Sequence, residues 1–313
     1  MDIIEKLRQN LNSVIIGKSE VIDKIIVGLI SEGHMLIEDV PGTGKTILAK
    51  AVALSFAAKF KRIQFTPDLL PTDITGITIY DMEQRDFKVR LGPIFANILL
   101  ADEINRGTPK TQSALLEAMA EYRVTIDGVD YGVEKPFIVI ATENPIEYEG
   151  TFPLPEAQLD RFIMRFSIGY PDKDFEKEML FLEKIDNPLE KIVQIGSLSD
   201  ISEAQNKVKQ IYVHSVIVEY IVDLANYSRN HKDFYLGVSP RGSIFLMRIA
   251  QAWAFLDRRE FVLPDDVKKS VVDVFNHRVM MKAEAKLRGV KIEDVLNEIV
   301  ESIAVPKGVD FSK

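Results

Sequence analysis

Residues 38–46 read Glu38-Asp39-Val40-Pro41-Gly42-Thr43-Gly44-Lys45-Thr46. Ahead of them, His34-Met35-Leu36-Ile37 has the look of a short buried strand's end. Behind them, Ile47-Leu48-Ala49-Lys50-Ala51-Val52-Ala53-Leu54 reads as a helix. Strand, glycine-bearing loop and helix in that order make a phosphate cradle. The loop's backbone N–H groups converge on one spot, and the helix adds the positive end of its dipole there. Gly42 and Gly44 let the backbone approach phosphate oxygens with no Cβ in the way. Pro41 and Thr43 complete the turn. Lys45 is placed to reach the β- and γ-phosphates, and the Thr46 hydroxyl to bind Mg²⁺. The stretch departs from G-x-x-x-x-G-K-[ST] at one position, where Asp39 replaces the first glycine.

Working outward, 313 residues suffice for two domains and a sizeable core. With 46% hydrophobic and 27% charged residues, the chain has the composition of a soluble globular protein. It has no cysteine, which excludes disulfides, zinc–thiolate sites and cysteine nucleophiles and suits the cytoplasm. No apolar run approaches the ~20 residues that span a bilayer, and residues 1–7 are amphipathic and mixed in charge, unlike a signal-peptide core. A formal net charge of −8 argues against general affinity for nucleic acid.

The N-terminal 2–12 segment has helical spacing, with Ile3, Ile4, Leu7 and Leu11 on one side. A second helix is predicted over 19–30. Between them, Ile15, Ile16 and Gly17 either pack in the core or wall an adenine ring. After the phosphate loop comes a strand over 61–65, then a hairpin whose arms are 76–80 and 87–91 and whose tip is charged. The run Ala96-Asn97-Ile98-Leu99-Leu100-Ala101-Asp102-Glu103-Ile104-Asn105-Arg106 predicts a strand buried on both faces, as in a parallel sheet. Two acids emerge at its C-terminal end, where ligands bind in such sheets. Asp102 is assigned to Mg²⁺ through water, and Glu103 to accepting a proton from the attacking water.

A helix is predicted over 111–119. Asp127-Gly128 sits between alternating runs and signals a second hairpin. The strand 137–142 ends at Glu143-Asn144-Pro145, where Asn144 either orients the attacking water, touches the γ-phosphate, or starts a turn. Residues 154–162 read as a helix-like turn feeding a strand at 164–168. Arg161, at its end, is a surface charge, a partner of Asp160, or a charge supplied to a neighbouring subunit's γ-phosphate. After 171 no further buried strand is evident. Helices are predicted over 173–185, 202–210, 215–230, 240–256 and 264–276, with a domain boundary near 171–195. In Ser239-Pro240-Arg241, Ser239 suits the N-cap and Pro240 the first helical position. Arg241 therefore projects from a first turn, where its charge opposes the helix dipole. A bound anion or a nearby acid would explain it.

Taken together, these motifs resemble AAA+ ATPases, and closely the MoxR family. The resemblance rests on 36–46, on Phe65-Thr66-Pro67-Asp68-Leu69-Leu70-Pro71, on 102–106, on Ala141-Thr142-Glu143-Asn144-Pro145, on 155–162 and on 239–241, in that order. It runs from about residue 3 to about 308. It implies an α/β P-loop core with a parallel sheet and β-hairpin inserts, followed by an all-α lid. The expected division is a nucleotide-binding core at 1–171, a helical connector at 172–235 and the lid at 236–313. By the resemblance, Lys45 and Thr46 match Walker A, Asp102 and Glu103 Walker B, and Asn144 sensor 1. Arg161 matches the arginine finger and Arg241 sensor 2, with Arg106 a second residue for contact across a subunit boundary.

ATP and Mg²⁺ are the implied ligands. Self-association into a ring, expected as a hexamer, is implied as well, with a client or von Willebrand A domain protein as partner. The function implied is ATP hydrolysis by a chaperone-like remodelling or assembly factor. The alternative is a DNA-dependent motor related to the minichromosome-maintenance helicases. It is disfavoured because Asp81, Glu83 and Asp86 outnumber Arg85 in one hairpin, and Asp127 and Asp130 outnumber Arg123 in the other. A nucleotide-binding switch without turnover is disfavoured because Glu103 is present.

Overall fold

The computed structural model describes residues 3–145, 150–177, 188–306, 308 and 310–312. By its internal contacts the chain forms two units. The first takes residues 1–26, 34–155 and 166–202, and the second takes 27–33, 156–165 and 203–313.

In the first unit, α1 (Ile3–Val14) buries Ile4, Leu7, Leu11 and Val14, spaced three and four residues apart as one helical face requires. The start of α2 (Ser19–Ile30) buries Ile22, Ile25 and Ile26 by the same periodicity. The sheet comprises β1 (Met35–Glu38), β2 (Phe60–Gln64), β5 (Ile98–Asp102), β8 (Ile138–Glu143) and β9 (Met164–Phe166, whose last residue belongs to this unit), in the order β2-β5-β8-β1-β9. The pairs β2/β5, β5/β8 and β1/β8 are parallel. Ile98, Leu99, Leu100 and Ala101 are fully buried, which is why that strand reads as a continuous apolar run. α3 (Lys45–Ser55) follows β1, and α5 (Pro109–Glu121) follows β5 with Thr108 as its N-cap.

Two hairpins project from this core. Between β2 and β5, α4 (Pro71–Thr75) leads into β3 (Gly76–Asp81) and β4 (Asp86–Leu91), which pair antiparallel in full register. β6 (Arg123–Ile126) and β7 (Val129–Gly132) form the second. Asp127 and Gly128 join its arms with φ of +50° and +84°, the two left-handed residues that a two-residue turn matching strand twist demands.

His34, 4% exposed, ties three pieces of this core together. Its Nδ1 accepts from the Val139 N–H at 3.0 Å, which leaves Nε2–H to donate to the Met119 carbonyl at 3.1 Å. Burial pushes this imidazole down to about 4, against the opposing bond to Met119. The native state thus binds fewer protons than the unfolded chain between pH 6.5 and 4. The stabilisation is full above pH 6.5 and is lost as pH falls, by about 1.4 kcal/mol per pH unit from this group. Urea unfolding at successive pH values should show that loss, and His34→Gln should flatten it. Equal slopes in the two proteins would refute the assignment.

The second unit is helical. Its helices are α6 (Glu156–Leu159), α7 (Leu198–Gln210, from residue 203), α8 (Ser215–Asn230), α9 (Pro240–Leu256), α10 (Pro264–Phe275), α11 (Ala283–Leu287) and α12 (Ile292–Ser302). Ile217, Ile221 and Leu224 of α8 are buried, as are Leu246 and Ile249 of α9, Val267, Val271 and Val274 of α10, and Leu296 and Ile299 of α12.

Three features differ from the sequence expectations, and a fourth is described only in part. Helix in the 154–162 segment is confined to Glu156–Leu159, because Pro153 and Pro155 hold the preceding chain extended. An antiparallel pair, β10 (Phe234–Leu236) with β11 (Met280–Met281), lies in the half where the sequence shows no further buried strand and an all-α lid is expected, and its two- and three-residue strands carry too little periodicity to be seen. α11 and α12 were not anticipated. Of the helix expected over 173–185, residues 173–177 are helical and 178–185 lie outside the described residues.

Candidate functional site

The loop joining β1 to α3 has Gly42 and Gly44 both at φ +87°, a backbone conformation that L side chains rarely adopt. A Cβ on Gly42 would meet nothing within 4 Å, and Gly42 borders two adjoining cavities of the first unit. Asp39 takes the place of the loop's first glycine without filling the cradle. Its Oδ2 accepts from the Ile168 and Gly169 N–H groups at 3.0 and 2.8 Å, and its Oδ1 accepts from the Val40 N–H at 2.8 Å. Three backbone donors satisfy a carboxylate that is only 5% exposed, so the acid staples the loop to residues 168–169.

The first cavity, about 380 Å³, is bordered by the whole loop from Pro41 to Ile47 and by Arg62, Gln64, Asp102, Glu103, Thr142, Glu143 and Asn144. Lys45 Nζ donates to the Asp39 and Val40 carbonyls at 2.8 and 2.9 Å. Burial lowers the proton affinity of this ammonium, and the carboxylates of Asp39, Asp102 and Glu103 oppose that shift.

Asp102 accepts from the Thr142 hydroxyl at 2.6 Å and from Arg62 Nη2 at 2.6 Å. The same Thr142 oxygen accepts from the Glu103 N–H at 2.9 Å, so one hydroxyl fixes both acids. Glu103 has φ +54°, and that left-handed step turns its side chain out of the strand direction. Its Oε2 accepts from Gln64 Nε2 at 2.7 Å and from Arg106 Nη1 at 3.0 Å. Asn144, 5% exposed, closes the polar wall.

The second cavity, about 300 Å³, is mainly apolar and adjoins the same loop. Ile15, Ile16, Ile47, Ile168 and Pro171 border it. Gly17 does not line it. At φ +73°, with a would-be Cβ 2.3 Å from the Phe175 ring, Gly17 is there for its backbone and for close packing.

The structure therefore brings Pro41 to Thr46, Asp102, Glu103 and Asn144 to one cavity, and Ile16 to its neighbour. Arg106 lies in a short turn at 104–106 and is ion-paired to Glu103 in its own chain. Arg161 and Arg241 belong to the second unit. Arg161 is half-buried in the turn after α6, with its N–H on the Gln158 carbonyl at 3.1 Å. Arg241 is exposed in the first turn of α9, where Ser239 accepts from the Gly242 N–H, and among the described residues it forms no ion pair. Asp160 pairs with Arg278.

Three groups around the acids were missed in the sequence: Arg62, Gln64 and Thr142. The signal was available for two of them. Positions 62 and 64 are two apart on β2 and share a face, and the register sets Gln64 beside Asp102.

The glycine conformations, the cation of Lys45 and the paired acids facing it across one cavity fit a nucleoside triphosphate with a divalent cation. Comparison with known proteins agrees. Residues 34–164 match the model of the ATPase family associated with various cellular activities (AAA), and residues 226–299 match the AAA lid domain. The chain is 46% identical to the uncharacterized protein YeaC of Bacillus subtilis over 97% of its own length and 95% of that protein's. It is 38% identical to Chaperone MoxR1 of Mycobacterium tuberculosis, covering 97% of this chain and 82% of the relative. A crystal structure of a candidate ATPase from Cytophaga hutchinsonii superposes with a TM-score of 0.92 at 37% identity, covering 97% of this chain and 95% of that one.

Proposed function

This chain belongs to the MoxR family of AAA ATPases, and from that premise we propose that it hydrolyses ATP to ADP and phosphate in order to remodel or assemble a partner protein. The observation that carries the reading is that Lys45, Asp102, Glu103 and Asn144 border one cavity beside a two-glycine loop and a helix start.

In the proposed reaction, the loop amides and Lys45 bind the triphosphate. Thr46 and Asp102 would hold Mg²⁺, which when bound neutralises charge on the β- and γ-phosphate oxygens. Glu103 accepts a proton as water attacks the γ-phosphorus, and the bond to the bridging β-phosphate oxygen breaks. Asn144 orients that water. Phosphoryl transfer asks for positioning and charge neutralisation more than for covalent chemistry, and this residue set supplies both. The apolar cavity beside Ile15 and Ile16 suits the base.

We further propose a ring, hexameric, in which Arg161 serves a neighbour's γ-phosphate, with Arg241 and Arg106 also acting near that end. Loss of the γ-phosphate would loosen the subunit contact and move the hairpins. The partner is a client protein, with von Willebrand A domain proteins the first class to test, and the proposed location is the cytoplasm. No helix among the described residues is long and apolar enough to cross a membrane. The functional division proposed is 1–171, 172–235 and 236–313, and the family matches at 34–164 and 226–299 support it. The helicase alternative is not favoured, since curated relatives that span the chain include proteins named MoxR.

The test is phosphate release from ATP by the purified chain. Turnover should require Mg²⁺ and stop with EDTA. Absence of turnover in an assembled, nucleotide-bound preparation would overturn the proposal.

A further inference from the structure

Arg278 follows α10 and is 5% exposed. Burying a guanidinium is costly unless its donors are satisfied, and here Nε and Nη2 grip one short stretch of chain. Nε donates to Asp160 Oδ1 at 2.8 Å. Nη2 donates to the Asp160 carbonyl at 3.2 Å and to the Phe162 carbonyl. Nη1 reaches the Val274 carbonyl and, at 2.6 Å, His277 Nε2. Arg278 thus holds the backbone on both sides of Arg161. Asp160 passes the constraint on, because the Ser239 hydroxyl donates to both its carboxylate oxygens at 3.0 and 3.2 Å. Ser239 in turn caps α9 by accepting from the Gly242 N–H, one residue beyond Arg241. Every one of these groups lies within the second unit.

We propose that Arg278 is a positioning residue that mounts Arg161 and Arg241 on one rigid support through Asp160 and Ser239. A shift of α9 is then transmitted to the Arg161 turn, so the two arginines move together. The inference rests on the roles proposed above for Arg161 and Arg241, and it adds the device that couples them. A further observation agrees with this geometry. Burial lowers the Arg278 guanidinium to about 10, Asp160 opposes that shift, and the nearby charge of Arg241 adds to it.

The experiment compares Arg278→Lys with the parent chain in assembled form. Lysine keeps the charge for Asp160 but loses the fork that reaches the flanking carbonyls. We expect kcat to fall roughly 10- to 100-fold, with KM for ATP and ring mass unchanged. The double variant Arg161→Ala with Arg278→Lys should be no slower than Arg161→Ala alone, since both act through one group. Parent-like kcat in folded Arg278→Lys, or losses that multiply in the double variant, would overturn the proposal. If Arg278→Lys does not fold, Ser239→Ala replaces it. That variant should lower kcat, and Ser239→Thr, which restores a hydroxyl, should recover it. Full activity of Ser239→Ala would count against the coupling. Arg161→Ala is assayed alongside. Should it turn over at the parent rate, the finger reading fails. Should it be slow while Arg278→Lys is fast, only the coupling fails.

Discussion

Replacing Glu103 by glutamine is expected to lower ATP turnover by about 10²–10⁴-fold, the usual contribution of a positioned general base, while ATP still binds. The substitution keeps the side chain's length and leaves one oxygen to accept from Gln64 and Arg106, so the pocket wall stays in place. Its amide cannot take up the proton released by the attacking water. The groups proposed to bind the triphosphate, Lys45 and the loop amides, are untouched, so affinity measured with a fluorescent ATP analogue should be preserved. Single-turnover phosphate release is the decisive measurement. Undiminished release would remove Glu103 from the reaction. A variant that binds without turning over is also the best bait for the partner protein.

The second large effect belongs to Arg161. Arg161→Ala is expected to lower turnover by about 10³–10⁵-fold, the range for a charge supplied to a transferring phosphoryl group across a subunit contact. The turn that carries it is held by its neighbours, through Asp160 and the Phe162 carbonyl, so the alanine variant should fold. Lys45→Ala should be inactive for a different reason, having lost the cation in the nucleotide's own subunit. Mixed in the proposed ring, the two inactive proteins would create some interfaces with an intact Lys45 facing an intact Arg161. Partial recovery of turnover on mixing is the expected result. No recovery from preparations shown by mass to co-assemble would place the finger elsewhere, with Arg106 next to be tested.

The core was legible from the sequence because its physics is local. The strand Ile98-Leu99-Leu100-Ala101 announces double-sided burial, Asp127-Gly128 announces a turn, and the phosphate loop is a contiguous string. What stayed hidden depends on partners far away in the chain. Thr142 matters because parallel pairing lays β8 beside β5, which brings its hydroxyl to Asp102. Arg278 is an ordinary cation in the sequence, and only folding encloses it with Asp160, 118 positions earlier. Short elements such as β10 and α11 owe their shape to tertiary packing, which overrides any signal that three to five residues can carry. Gly17, weighed as part of an adenine wall, instead makes room for an aromatic ring from residue 175.

The second unit is assembled from three separate stretches, 27–33, 156–165 and 203–313. During synthesis, residues 27–33 and 156–165 emerge before the 203–313 stretch that completes their unit. A fragment cut at 203 would lack Asp160 and the Phe162 carbonyl, the groups that hold Arg278. A fragment that begins at 203 therefore lacks part of its own unit, and one that ends at 202 carries 27–33 and 156–165 without the rest of theirs.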